Sequence, residues 1–226
     1  MDNRQIIAMF GKSLLAASLT NEEIMNFLEF SKAQVKDFAS GETVFFDGDV
    51  PQSLYVLLSG KIHIQKTSLS GRNVFISKID EPGDVFGEAY LLLEKPYDMF
   101  AEAVQNTSLL VIDGKAFSFD INSAVSLKVH GNLTKILAQK AYLMHTKLIV
   151  MASGKLRERI VRFLFWEMGE KESVHLSFSR DEWATYLAVA RPSLSRELGA
   201  MERDGIIEIN GRNIRLVNRN KFEEYL

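Results

Sequence analysis

The stretch from 123 to 153 constrains the fold more than any other part of the chain, because it holds no proline and a single glycine, Gly131. Within it Leu133, Ile136, Leu137, Ala141, Met144, Leu148 and Met151 recur at three- and four-residue spacing, the period of one helix face. A helix of that length far exceeds the globular average of about 11–12 residues. Two readings stand open: a helix packed on its own sheet, or a dimerisation helix along whose stripe two copies pair. The second is preferred, with Lys140 and Lys147 carrying their charges outward on long stems.

The sequence on either side has a different texture. The first forty residues look helical, and Thr20 with Glu23 fits a capping box opening a helix that includes Ile24, Phe27 and Leu28. From Gly41 the short runs ETVFF, SLYVLLSG, KIHIQK, NVFISKID and SLLVID are punctuated by Gly48, Gly60, Gly71 and Gly83. Many short strands with regular turn signals predict a β-sandwich or barrel over about residues 20–120. Beyond a hinge at Ser153-Gly154, an amphipathic helix carries Leu156, Ile160, Phe163 and Leu164 and ends near Gly169. HLSFS then reads as a strand, followed by a helix from about Arg180, a break near Val189, and a helix from Arg191 to Arg203. IIEINGRNIRLV reads as a hairpin around an Asn210-Gly211 turn. That order of elements is a winged helix-turn-helix.

Composition serves mainly to exclude chemistries. With no cysteine there are no disulfides, thiolate zinc sites, cysteine-held iron–sulfur clusters or thiol nucleophiles. His63, His130, His145 and His175 fall in no metal-binding spacing, so neither a metal nor a haem is expected. No Walker loop or nucleophile–base constellation points to an enzyme, and a cupin-like metal barrel would need more than His63 among the strands. No apolar run reaches the roughly 18 residues of a spanning helix. Asp2 and a single Arg4 make a poor charged leader, so a cytoplasmic chain without membrane association is expected. The net charge of −2 gives no hint of nucleic acid. Yet every basic residue between Lys171 and Lys221 is arginine, the side chain suited to bidentate recognition of phosphate and guanine.

The run SRDEWATYLAVARPSLSRELGAMERDGIIE is the most informative. Ser179 and Glu182 form a capping box, Trp183, Ala184 and Leu187 face inward, and Pro192 sits in the first turn of the next helix. With Leu194, Leu198 and Met201 buried, Arg191, Ser193, Ser195 and Arg196 project elsewhere, where a recognition helix reaches bases and phosphates.

This run resembles the DNA-binding domain of the Crp/Fnr transcription regulators. GETVFFDGDVPQSLYVLLSGKIHI, EPGDVFGEAYLL, the long helix and RERIVRFL follow the same family's order, over about residues 15–226. The resemblance implies an α+β fold in three parts. These are N-terminal helices with a double-stranded β-helix (jelly-roll) effector domain at 1–120, a dimerisation helix and hinge at 121–153, and a winged helix-turn-helix at 154–226. It implies as partners a second copy of the chain, palindromic double-stranded DNA and RNA polymerase. Arg191 and Arg196 match two recognition-helix arginines, Ser195 completes an S-R pair, Ser193 is a further contact position, and Arg180 is a phosphate-facing one. Two positions depart from the pattern. Pro192 replaces a base-reading glutamate, and Ala188 replaces the turn glycine, so the turn is expected to find another conformation.

Phe86-Gly87-Glu88 resembles the start of the family's phosphate-binding cassette, in which the glutamate holds a ribose hydroxyl; a carboxylate tying down a turn is the equal alternative. Tyr97 and Asp98 fall where an arginine and a serine or threonine would seat the phosphate. Tyr142, Met144 and His145 match the dimer-helix region lining the effector pocket. The expected function is thus a homodimeric regulator controlled by a small effector other than cyclic AMP. The alternative is a ligand-binding or scaffold protein of the same fold that has lost DNA binding.

Overall fold

The computed structural model describes residues 3–68, 71–117 and 123–226, so the expected boundary at 120/121 lies outside the described residues. The chain forms two compact units, Met1–Gln139 and Lys140–Leu226.

In the first unit, helices α1 (Asn3–Phe10) and α2 (Asn21–Phe30) precede strands β1 (Gln34–Phe38), β2 (Thr43–Phe45), β3 (Ser53–Ser59), β4 (Ile62–Thr67), β5 (Asn73–Ile79) and β6 (Val85–Phe86). A short helix α3 (Glu88–Leu92) and strands β7 (Phe100–Ala103) and β8 (Thr107–Asp113) follow. They pair antiparallel into two four-stranded sheets, ordered β1-β8-β3-β6 and β2-β7-β4-β5. The Thr20–Glu23 capping box forms as expected. The expectation of forty helical residues fails at β1, whose short, mostly exposed run gains its strand state by pairing with β8.

The sheet containing β3 and β8 is buried on both faces, which explains its unbroken apolar runs. Leu54, Val56, Leu58, Leu110 and Ile112 pack with Phe10, Leu15, Phe27 and Phe117 on the helical side. The alternate residues Tyr55, Leu57, Leu109 and Val111 face Phe45, Ile62, Ile64, Ala101 and Ala103 of the second sheet. That sheet is covered on one side only, so β4 alternates buried Ile62 and Ile64 with half-exposed His63 and Gln65.

Helix α4 (Ala124–Ala152) begins at Ser123, whose hydroxyl accepts from the Ser126 amide at 3.0 Å. Leu133 and Ile136 bury themselves in the helical-side core, and the amide of buried Asn132 donates to the carbonyls of Leu15 and Ala17 at 3.1 and 2.7 Å. The dimer stripe expected from sequence is therefore corrected at these two residues, which close their own domain. Among the exposed positions of this helix, Leu127, Gly131, Thr134, Ala138, Ala141, His145, Leu148 and Ala152 fall in strict four–three spacing.

The second unit adds α5 (Leu156–Met168), β9 (Ser173–His175), α6 (Arg180–Tyr186), α7 (Arg191–Arg203), β10 (Ile207–Asn210), β11 (Asn213–Leu216) and α8 (Arg219–Glu223). The strand expected over HLSFS lies earlier, at Ser173–His175, because Ser179 is drawn off to cap α6. Asn210 pairs with Asn213, which moves the hairpin turn one residue on, to Gly211-Arg212. Strand β9 joins β11 as the third strand of this sheet. Among the described residues, no helix is long and apolar enough to cross a membrane.

Gly60, between β3 and β4, has φ +100°, and a Cβ there would lie 2.5 Å from the Thr107 Cα and 2.7 Å from the Asn106 carbonyl oxygen. Backbone cannot retreat as a side chain can. Gly60→Ala should lower stability by about 3 kcal/mol, combining left-handed strain with overpacking. Chemical denaturation of the β-sandwich transition checks this.

Candidate functional site

The helix-turn-helix is built on an aromatic floor. Trp183 is 1% exposed, and the Phe163 ring lies 5.2 Å from both the Trp183 and Tyr186 rings and 5.7 Å from Phe178. The Ser179 hydroxyl accepts from the Glu182 amide at 3.2 Å while the Glu182 carboxylate accepts from the Ser179 amide at 2.8 Å, fixing the start of α6. Ala184, Leu187, Leu194, Leu198 and Met201 join the same core and set the orientation of α7.

The turn between these helices corrects the expectation attached to Ala188. It does not find another conformation: Ala188 takes φ +52°, in the left-handed region that favours glycine. The amides of Ala188 and Val189 donate to the carbonyls of Thr185 and Ala184 at 3.0 and 2.9 Å, closing α6.

Arg191, Ser195 and Arg196 are exposed at the start of α7, and Ser193 is half-exposed. Arg196 bends back along its helix, with Nε donating to the Pro192 carbonyl and Nη2 to the Ser193 hydroxyl, both at 3.4 Å. Arg191 Nη1 meets both carboxylate oxygens of Asp181, at 3.1 and 3.4 Å. Arg180 is half-buried against the hairpin: its guanidinium lies 5.5 Å from the Trp183 ring centroid and Nη2 donates to the Gly211 carbonyl at 3.4 Å. Burial lowers its pKa, and nearby Glu202 opposes that shift. These groups border a cleft of about 470 Å³ lined by Arg180, Asp181, Arg191, Gly211 and Arg212. Sequence reasoning passed over Arg212, although an arginine beside the Asn-Gly pair of the hairpin turn was the available signal.

Arg157 was also missed. Its side chain, 19% exposed, joins Glu197 through Nε at 2.5 Å and Asp204 through Nη1 at 2.7 Å. The Tyr225 ring centroid lies 5.4 Å away. Those contacts tie α5, α7 and the chain's last residues together.

In the first unit the structure brings Gly87, Glu88 and Tyr97 together. Gly87 has φ +82°, and a Cβ there would lie 3.1 Å from the Tyr97 hydroxyl. Glu88 is buried at the start of α3. Tyr97 is 3% exposed, stacks 3.7 Å from Phe45, and buries its hydroxyl without a hydrogen-bond partner among the described residues. Burial, and then the neighbouring Tyr55, Glu88 and Asp49, raise its phenol pKa above the ordinary range. Asp98 turns away to the surface, bound by Lys66 at 2.7 Å and by the Tyr90 hydroxyl. Lys66 and then Tyr90 hold its carboxyl below the usual range, while burial and the Asp98 bond push the Tyr90 phenol up to about 12. Tyr142, Met144 and His145 belong to the other unit, exposed on α4, with Tyr142 edge-on to Trp166 at 5.9 Å.

Comparison with known proteins matches residues 35–119 to the cyclic nucleotide-binding domain and residues 158–225 to the Crp-like helix-turn-helix domain. The chain is 26% identical over 197 residues to a cyclic AMP receptor protein of Thermus thermophilus, covering 87% of this chain and 90% of that one. It is also 26% identical over 187 residues to an HTH-type transcriptional regulator, Cmr, of Mycobacterium tuberculosis, covering 83% and 74%. The crystal structure of the Thermus thermophilus catabolite activator protein superposes with a TM-score of 0.54 at 25% identity, covering 94% of this chain and 98% of that one.

Left-handed alanine costs about 1–2 kcal/mol, partly offset by the greater unfolded-state freedom of glycine. Ala188→Gly should therefore stabilise the winged helix by about 0.5–1 kcal/mol, measured by thermal denaturation.

Proposed function

We propose that the chain is a DNA-binding transcription regulator of the Crp/Fnr type, since its two parts are similar to the cyclic nucleotide-binding domain and the Crp-like helix-turn-helix domain, and that it acts as a homodimer reading a palindromic site. In this reading Arg191, Ser193, Ser195 and Arg196 enter the major groove and Arg180 faces a phosphate. The observation that carries it is the α6–α7 pair, with α6 started by its capping box, whose apolar faces are spent in the core while Arg191, Ser195 and Arg196 stay in solvent. RNA polymerase is the expected further partner.

Arg196→Ala should weaken discrimination at one base pair of a selected site by roughly 1–3 kcal/mol, with the fold intact. Gel-shift titration of matched and mismatched duplexes measures it. Equal discrimination by variant and parent would remove Arg196 from base reading, and a parent that selects no DNA would favour the scaffold alternative.

Dimerisation runs along the exposed four–three stripe of α4, whose spacing is that of a coiled-coil seam. Leu127 and Leu148 supply its large apolar groups, and Gly131, Ala138 and Ala141 allow close approach. Two recognition helices would then lie about 34–36 Å apart. Leu148→Asp should give folded monomers in sizing chromatography with light scattering. Ile136→Ala should instead destabilise the first unit by about 2–5 kcal/mol, as a large-to-small core change.

The effector is not a cyclic nucleotide bound through the usual cassette. A phosphate anion needs compensation when buried, and Tyr97, which the resemblance puts at the arginine position, carries no charge to supply it, its hydroxyl and the Tyr55 ring lying against Gly87. The negative charge of Asp98 is already engaged by Lys66 at the surface, so the electrostatic case rests on the missing arginine rather than on repulsion by Asp98. Isothermal titration with cyclic AMP and cyclic GMP should show no micromolar binding. Such binding, with the phosphate at residues 87–98, would overturn this reading of the cassette.

A further inference from the structure

The contact between Arg191 and Asp181 has a geometry that bears on specificity. Arg191 opens α7, at the positive end of the helix, where a cation is disfavoured by the helix dipole. Asp181 lies in the first turn of α6 and offsets that effect from across the turn. Only Nη1 of Arg191 is used, shared between the two carboxylate oxygens at 3.1 and 3.4 Å. Among the described residues, Nε and Nη2 make no hydrogen bond. These two nitrogens form one flat edge of the guanidinium, carrying a pair of parallel N–H donors that match the O6 and N7 acceptors of guanine.

We propose that Asp181 is a positioning residue for DNA reading. It clamps Nη1 of Arg191 so that the Nε/Nη2 edge is presented to a guanine in the major groove. The inference rests on the placement of α7 in the groove proposed above. Both side chains are largely exposed in the free protein, 60% for Arg191 and 68% for Asp181. There the pair is weak, as surface ion pairs are. Docking against a duplex excludes water from both groups, and the attraction strengthens as the local dielectric falls. The carboxylate also repels neighbouring phosphates, so it disfavours sequence-independent contact while it favours one orientation of the arginine. Arg180 and Arg212 border the same cleft and supply the positive charge that faces the backbone. Asp181 thus separates a base-reading arginine from the phosphate-binding ones.

The test begins with a site selected from random duplexes by the full-length parent protein. Affinities are then measured for that site, for single-base substitutions of it, and for unrelated DNA. Parent, Asp181→Ala, Asp181→Asn, Arg191→Ala and the double variant Asp181→Ala/Arg191→Ala are compared, with thermal unfolding as the check on folding. Asp181→Ala should lose about tenfold in discrimination at the base read by Arg191. It should also bind unrelated DNA more tightly than the parent. Asp181→Asn, which keeps one acceptor oxygen, should fall between the two. In the Arg191→Ala background, removing Asp181 should change discrimination at that base no further. Unchanged discrimination in Asp181→Ala would overturn the proposal while leaving the DNA-reading function standing. So would an equal loss in the Arg191→Ala background, since Asp181 would then act through another group. A parent that selects no site would sink the DNA-reading function itself, and this inference with it.

Discussion

Burial of β3 and β8 on both faces is the constraint from which the organisation of the first unit follows. A sheet covered on one side only could keep polar residues on the other. Here Leu54, Val56 and Leu58 require helices on one side, and Tyr55 and Leu57 require a second sheet on the opposite side. The helical cover comes from α1, α2 and the first half of α4, held in register by the Asn132 amide on the Leu15 and Ala17 carbonyls. The inward face of α4 is committed by this demand, and its exposed stripe is what remains.

The pattern of success from sequence follows from how local each signal is. The capping boxes at Thr20 and Ser179, the start of α6 and the bounds of α7 depend on residues three or four apart, and all were readable. Strand β1 was not, because Gln34–Phe38 has little periodicity of its own and is a strand by virtue of pairing with β8, some seventy residues on. The stripe on α4 was misassigned at Leu133 and Ile136 for a related reason. Helical spacing identifies an apolar face but does not say whether a sheet or another helix will cover it. Ala188 shows the reverse case. Its side chain suggested a different turn, yet the packing of α6 on α7 imposes the left-handed conformation and the chain bears the strain.

The candidate sites divide in the same way. Residues on α7 could be placed from helical geometry alone, whereas the Asp181 partner of Arg191 and the position of Arg212 depend on how α6, α7 and the hairpin meet. In the β-sandwich, matching Tyr97 to an arginine position said nothing about where its ring would go. The structure puts it under Phe45 and against Gly87, with Asp98 turned to Lys66 at the surface. Adjacent residues thus face opposite environments, in the bend that precedes β7.

Arg157 has a consequence for the pitch of α7. Glu197 and Asp204 are seven residues apart, almost two full turns, so both lie on nearly the same side of the helix. One guanidinium gripping that side at two heights resists rotation of α7 about its own axis, and the Tyr225 ring backs the same guanidinium. A screw motion of even one residue, about 100° of rotation, would pull both carboxylates from Arg157 together. The angular setting of the helix is therefore governed from a side of α7 other than the one that carries Arg191 and Arg196, by a side chain on α5 and by the Tyr225 ring.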